Sequence, residues 1–168
     1  MSGKKSLQYD VLEFLSLDRR ASKVNCTSIR GVVLKLLKFS RTELQKIRAI
    51  WTWIVNNIAY DTEQSPKDPE EVFRRRKAKC VGQANLFKEM CRFAGIECVV
   101  ISGQRHRWNA VCIEGRWHLL DVTWIKEEYF LTHPEIFQKD HTPHEEKWKL
   151  LDGNLKSNPI SNEICLIL

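Results

Sequence analysis

Apolar residues recur at helical intervals through the first half of the chain. Between positions 28 and 38 they stand at Ile29, Val32, Val33, Leu36 and Leu37, a spacing that places them on one face of a helix. Ser40 and Glu43 then fit a capping box, and a broader apolar stripe follows at Leu44, Ile47, Ile50, Trp51, Ile54 and Val55. That stripe predicts a second, longer helix over about residues 41–57.

Two further helices have recognisable ends. Asp68 is suited to cap a short helix with Pro69 at its first position, where the missing proline N–H costs nothing. A longer helix is predicted from Cys80 onward, with an apolar face made of Ala84, Phe87, Met90, Cys91 and Ala94. Gly95 is placed to end that helix in a left-handed conformation.

After residue 95 the pattern changes to short β-branched and alternating segments. Residues 96–103, IECVVISG, predict a strand, and residues 106–124, HRWNAVCIEGRWHLLDVTW, predict two strands joined by a turn at Glu114-Gly115. The segments HPEIF (133–137) and EEKWKLL (145–151) predict two short final elements. Helices that precede antiparallel strands indicate an α+β fold.

Chain length and the end of the periodic pattern set the expected domain limits. At 168 residues, of which 43% are hydrophobic, the chain is long enough to bury one core. We predict one folded domain over residues 25–152, preceded by an N-terminal segment (1–24). Beyond Asp152 the sequence turns to Gly, Asn, Ser and Pro, so residues 153–168 are expected to form a flexible tail.

Charge and cysteine content narrow the function classes. The net charge of +6 favours acidic partners only weakly, and the basic run at residues 74–79 lacks the interleaved aromatics of a nucleic-acid site. The opening MSGKKSLQYD has no apolar core of a signal peptide, and no apolar run is long enough to cross a membrane. Six cysteines without a C-x-x-C pair are therefore expected to be reduced thiols of a cytoplasmic protein, with no structural zinc site.

Cys80 stands at the predicted start of a helix, directly after Arg74, Arg75, Arg76, Lys77 and Lys79. Unpaired N–H groups and the positive end of the helix dipole favour a thiolate, and nearby cations add to that effect. Cys80 is therefore a candidate nucleophile. The alternative is that Cys80 is a small buried residue and that the basic run is a solvated face, a nuclear-import signal or an RNA-binding patch.

The register of the predicted hairpin indicates which histidine could act as the general base for Cys80. With a two-residue turn at Glu114-Gly115, His106 and Asp121 become diagonal neighbours on one face, about 7–8 Å apart at the backbone. His118 falls on the opposite face. We therefore expect His106 to act as general base with Asp121 as its orienting carboxylate, or, alternatively, to be a surface residue beside a turn-capping aspartate. No such partner is evident for the remaining histidines, which we interpret as structural or exposed: His118, His133, His141 and His144.

Three separated motifs resemble the transglutaminase-like superfamily: KCVGQANLFKEMCRFAGIECVVISG, HRWNAV and GRWHLLDVTW. In that family a cysteine opens a helix, His-x-Trp-Asn starts a strand and Leu-x-Asp-x-Thr-Trp ends the next. The segments KIRAIWTWIVNNIAYD, YFLTHPEIF, DHTP and KWKLL extend the resemblance to the kyphoscoliosis peptidase group, over about residues 25–151. The resemblance implies a papain-like core, with the cysteine-bearing helix packed on a small antiparallel sheet, and Cys80, His106 and Asp121 as a catalytic triad.

The resemblance implies acyl transfer through a thioester, at a peptide bond or a glutamine carboxamide of a protein substrate. The backbone N–H of Cys80 is one candidate donor to the oxyanion. Tyr60, Gln64 and Trp51 are candidates for a second donor, and Trp108 for the cleft. We expect no cofactor and, because no calcium-loop pattern is present, no metal. The family also implies cytoskeletal partners, and a non-catalytic interaction module of the cytoskeleton is the alternative.

The last four residues, Cys165-Leu166-Ile167-Leu168, match a prenylation pattern whose terminal Leu points to geranylgeranyl transfer. A membrane partner is expected only if Cys165 is modified, and the alternative is that Leu168 is an arbitrary end of a longer chain. Intact-mass measurement on protein from a eukaryotic cell separates the two. An unmodified mass with Leu166–Leu168 still present contradicts prenylation.

Overall fold

The computed structural model describes residues 7, 9–63, 65–124 and 126–151. The candidate Gln64, Cys165 and the predicted tail 153–168 lie outside the described residues. No helix in the described part of the chain has the length and apolar character needed to cross a bilayer.

Helices dominate the N-terminal half, and the main sheet follows. The helices are α1 (Leu15–Ala21), α2 (Ile29–Leu37), α3 (Glu43–Asn57), α4 (Pro69–Arg75), α5 (Cys80–Phe93) and α6 (Pro134–Phe137). The strands are β1 (Ala59–Tyr60), β2 (Lys77–Ala78), β3 (Cys98–Gly103), β4 (His106–Ile113) and β5 (Arg116–Leu120). Single 3₁₀ turns lie at Val11–Phe14, Glu127–Tyr129 and Glu146–Lys149. The predicted helices, strands and α+β class are confirmed.

The predicted capping box at Ser40 and Glu43 is wrong by two residues. Thr42 caps α3, since its hydroxyl accepts from the backbone N–H of Gln45 at 3.1 Å and the Gln45 amide oxygen accepts from the N–H of Thr42. Ser40 is committed to the previous helix, because its hydroxyl donates to the carbonyl of Leu36 at 2.9 Å. The cap of α4 by Asp68, with Pro69 at the first position, is confirmed.

The main sheet is antiparallel with strand order β3-β4-β5. Ile113 pairs with Arg116 across a turn in which Glu114 and Gly115 both have positive φ, at 49° and 75°. Such a turn matches the twist of its strands and fixes the register. The predicted pairing is therefore confirmed from Ile113–Arg116 to Asn109–Leu120, where β5 ends, and Asp121 follows directly after the strand.

Each face of this sheet is covered by a different part of the chain. Helix α5 packs on one face, where the buried Asn109 amide donates to the carbonyl of Ala84 at 3.0 Å. Residues after β5 cover the other face and form a second apolar cluster with Trp108 and Leu119. That C-terminal segment also reaches both edges of the sheet, through the bridges Leu120↔Phe130 and Gly103↔Pro143.

The N-terminal residues pack on the same core through a buried arginine. Arg48 on α3 is 2% exposed. Its guanidinium donates to both carboxylate oxygens of Asp18 on α1, at 2.9 and 2.6 Å, and to Glu127 at 2.8 Å. This ion-pair cluster of Arg48, Asp18 and Glu127 joins α1 and α3 to the segment that follows β5.

Replacing Arg48 with Met tests how much the ion-pair cluster contributes to stability. Removing Arg48 takes the charged donor from two partly exposed carboxylates, so we expect the free energy of unfolding to fall by about 2 kcal/mol. Arg92→Met is the matched control, because the Arg92–Glu89 pair is exposed and contributes little to stability. Urea unfolding monitored by circular dichroism measures both, and equal losses contradict the assignment.

Candidate active site

Cys80 is the first residue of α5, and its thiol is partly buried. Burial alone raises the pKa of a thiol, but here it is outweighed by hydrogen bonding to His106, by the charge of His106 and by the backbone N–H groups of Arg107 and Val81. The pKa of Cys80 is consequently lowered. The surroundings of Cys80 thus favour the thiolate chiefly through His106, and the predicted effect of the helix start is limited to the N–H of Val81.

The three arginines of the basic run before Cys80 are engaged in contacts of their own. The side chains of Arg74 and Arg75 both pair with Glu71 on α4, at 2.7 and 2.5 Å. The guanidinium of Arg76 lies over the rings of Phe73 and Trp53. The predicted contribution of these arginines to thiolate formation is therefore corrected: His106 and backbone N–H groups account for the lowered pKa of Cys80.

His106 and Asp121 meet where β4 begins and β5 has ended. The imidazole Nε2 lies 2.6 Å from Asp121 Oδ2. Asp121 has no exposed surface. Burial raises the pKa of its carboxyl group, but hydrogen bonds from His106 and His141 lower it by more, so the pKa is lowered overall. Burial lowers the pKa of His106, yet bonds to Asp121 and Cys80 raise it overall to about 9. The histidine is therefore an imidazolium near neutral pH.

Two indole rings hold the imidazole of His106. Trp124 stacks on it at a centroid distance of 4.9 Å and Trp108 at 5.9 Å, with interplanar angles of 17° and 25°. Trp108 is buried to 1% exposure and Trp124 is 37% exposed. Trp108 consequently supports His106 from inside, whereas Trp124 forms the outer wall of the site.

The interpretation of His141 as a histidine without a carboxylate partner is wrong. Its Nε2 lies 2.7 Å from Asp121 Oδ2, the same oxygen that His106 contacts, and the residue is buried. His118, in contrast, pairs with Val111 on the face away from Asp121, as predicted, and burial lowers its pKa.

The ligand atoms of His106, Asp121 and His141 lie within 4.8 Å of one another, which makes them a candidate metal group. Their spacing fits hydrogen bonds better than coordination. Both imidazole nitrogens lie 2.6–2.7 Å from one carboxylate oxygen, whereas ligands of a tetrahedral zinc ion stand about 3.3 Å apart. We therefore treat the cluster as a hydrogen-bonded one.

The residues predicted as candidate donors to the oxyanion lie in different environments. Trp51 is not available as a donor, because its Nε1–H is committed to the carbonyl of Asp121 at 2.7 Å. Tyr60 is 57% exposed and pairs with Ala78, two residues before Cys80. It lines a cavity of about 240 Å³ together with Arg76, Gln83 and Thr123, among others. Tyr60 stays a candidate.

Comparison with known proteins agrees with this architecture. The model of the transglutaminase-like superfamily matches residues 30–122. Kyphoscoliosis peptidase of Mus musculus is 38% identical over 89% of this chain and 28% of its own length. Hillarin of Drosophila melanogaster is 26% identical over 84% of this chain and 23% of its own length. The chain thus spans about a quarter of the curated relatives it matches.

Solved structures share the fold. A candidate cysteine protease from Cytophaga hutchinsonii superposes with a TM-score of 0.52 at 21% identity, over 75% of this chain and 46% of its own. A protein crystallised as a TGase gives 0.50 at 20% identity, over 74% and 37%. The predicted papain-like, transglutaminase-like core is confirmed by this likeness.

The lowered pKa of Cys80 predicts its alkylation profile. We expect the iodoacetamide rate at Cys80 to inflect below the free-thiol value of about 8.5. His106→Ala should raise the inflection toward that value, because the imidazolium that stabilises the thiolate is lost. The rate is measured by mass spectrometry of digested protein across pH 5–10, a range chosen to include about one pH unit above the pKa of His106.

His118→Ala is the control, since His118 lies on the other face of the sheet. It should leave the profile unchanged. Cys91 serves as an internal reference, because burial raises its pKa and its thiol should stay unlabelled in the folded protein. A profile that is the same in His106→Ala and in the wild type contradicts the Cys80–His106 pairing.

Proposed function

The chain belongs to the transglutaminase-like superfamily, and on that premise we propose that it is a cysteine-dependent acyl-transfer enzyme that cleaves peptide bonds of a protein substrate. One observation carries the proposal. A helix-terminal thiol of lowered pKa pairs with an imidazole whose other nitrogen lies 2.6 Å from a buried carboxylate. Such a constellation supplies both a nucleophile and a proton donor.

In the proposed reaction the Cys80 thiolate attacks the carbonyl carbon of the scissile amide. Asp121 accepts the Nε2–H of His106, which leaves Nδ1–H to face the thiolate. That proton passes to the leaving amine as the C–N bond breaks, and the acyl group remains on Cys80 as a thioester. His106, now neutral, then takes a proton from water, whose oxygen attacks the thioester and releases the carboxylic acid and the thiolate.

The tetrahedral intermediate needs donors for its oxyanion. The backbone N–H of Cys80, at the start of α5, is one candidate donor. The hydroxyl of Tyr60 is the candidate second donor among the described residues, because it is exposed and lies on the strand paired with the residues just before Cys80.

Hydrolysis is favoured here over crosslinking. The two reactions share the thioester and differ in whether water or a lysine amine accepts the acyl group. The similarity to a relative named a peptidase favours water. We place the reaction in the cytoplasm, with cytoskeletal proteins as substrates or partners by family resemblance.

The second candidate is a non-catalytic interaction module of the cytoskeleton. The chain spans only 28% of a relative such as kyphoscoliosis peptidase, so its segment could serve as a docking unit within a larger assembly. The presence of all three side chains of the constellation favours the enzyme instead.

A paired assay separates these functions. The protein is incubated with a library of quenched fluorescent peptides and, in parallel, with a glutamine-rich protein and a fluorescent primary amine. We expect peptide cleavage to exceed amine incorporation, and Cys80→Ala to reduce cleavage by at least about 10³-fold, as loss of a nucleophile does. Cys26→Ala is the matched control, because Cys26 is a similarly exposed thiol on another part of the chain.

Each alternative has its own outcome. Amine incorporation that exceeds cleavage and requires Cys80 identifies a transglutaminase. Absence of both reactions, with an alkylation rate at Cys80 no faster than at Cys26, contradicts the enzyme and favours the interaction module.

A further inference from the structure

We propose that His141 is a positioning residue of the site: it holds the Asp121 carboxylate in the orientation that presents His106 to Cys80. The proposal deepens the proposed function, because it assigns a fourth side chain to the same site. It rests on contacts between described residues.

The Asp121 carboxylate has hydrogen-bond donors on both oxygens. Oδ1 accepts from the backbone N–H groups of Thr123 and Trp124, at 2.7 and 3.3 Å. Oδ2 accepts from Nε2 of His106 and of His141, at 2.6 and 2.7 Å. The carboxylate is fully buried and cannot exchange any of these donors for water. Loss of the bond from His141 therefore leaves an acceptor position unsatisfied and the carboxylate less firmly oriented.

The shared oxygen fixes which nitrogen of His106 carries its proton. An ionised carboxylate only accepts, so each imidazole must donate to it from Nε2. For His106 this leaves Nδ1 as the nitrogen that faces the thiol. A rotated carboxylate would release His106 to take the other tautomer or another ring orientation.

His141 itself is held too rigidly to follow such a rotation. Four aromatic rings surround its imidazole at centroid distances of 4.0–5.2 Å: Phe137, Trp124, Trp108 and Tyr129. Its Nδ1 lies 3.3 Å from the carbonyl of Phe137. Trp124 contacts both His141 and His106, so one ring braces the two imidazoles against each other.

The backbone that carries His141 is anchored to the edge of the sheet. Pro143 forms a bridge with Gly103, and the N–H of His144 donates to the carbonyl of Ser102 at 2.9 Å. A Cβ at position 103 would lie 2.3 Å from the Trp108 ring and 2.5 Å from the Thr142 carbonyl oxygen. Gly103 thus permits the close approach that brings His141 to Asp121.

The titratable groups near His141 are few among the described residues. Asp121 and His106 contact the cluster directly, and Cys80 joins it through His106. Tyr129 lies beside the His141 ring and donates its hydroxyl hydrogen to Asp140 at 2.8 Å. The pH profile of Cys80 therefore reports on this network.

The alkylation profile of Cys80 tests the role of His141 with two substitutions. His141→Phe keeps a ring among the aromatics and removes the donor, whereas His141→Gln keeps an N–H donor near the place of Nε2. We expect His141→Phe to slow alkylation at neutral pH by about 10–100-fold, the factor equivalent to one hydrogen bond to a charged group. Its inflection should move up toward the free-thiol value, and His141→Gln should recover most of the wild-type rate.

His144→Phe is the control, since His144 is exposed on the same segment and should leave rate and inflection unchanged. A purely structural role predicts that His141→Phe lowers the melting temperature with an unaltered inflection, and that result overturns the proposal. If His141→Phe does not fold, imidazole ¹⁵N–¹H NMR of the Cys80→Ala protein tests the proposal instead. There we expect both His106 and His141 to carry a slowly exchanging Nε2–H, and an unprotonated Nε2 on His141 overturns the proposal.

The role of His141 and the proposed function fail separately. An unreactive Cys80 in the wild type contradicts the enzyme, while the NMR experiment still tests His141. A reactive Cys80 that is indifferent to His141→Phe overturns only the role of His141.

Discussion

A buried negative charge is the constraint on which this site depends. Asp121 has no exposed surface, so its ionised form exists only because the fold brings donors to it from several directions. The backbone after β5 turns two N–H groups onto Oδ1, and imidazoles from β4 and from the C-terminal segment meet at Oδ2. The carbonyl of the same residue accepts from Trp51 on α3. The end of β5 is thereby connected to α3, to β4 and to the segment that follows β5.

The local half of this arrangement could be predicted from the sequence. Alternation along two strands and a two-residue turn determine which side chains share a face, and this information is contained in residues 106–124. The helix that begins at Cys80 was predictable because its apolar face and its glycine stop lie close together in the chain. The cap of α3 was misplaced because Ser40 and Thr42 are both good capping residues, and only the end of the preceding helix decides between them.

The non-local half could not be predicted in the same way. His141 lies in an irregular segment, where no period relates its side chain to the sheet. A weaker signal was present: Trp124, Tyr129, Phe130 and Phe137 form an aromatic-rich stretch that must be buried against something, and His141 follows one turn after Phe137. The pairing of Arg74 and Arg75 with Glu71 could also have been predicted from the sequence, since the spacings of three and four residues are those of helical ion pairs.

The close approach at Gly103 has a consequence for inherited variation in this protein. Gly103 has no side chain and pairs with His106 across β3 and β4, and a single added methyl group would meet both an indole ring and a carbonyl oxygen. A one-base change in its codon always introduces either a side chain or a stop, apart from silent changes. Every amino acid replacement at position 103 is therefore expected to disturb the packing around it. Variants at Gly103 should be classed by their effect with variants at the reacting residues, and not with variants at ordinary strand positions.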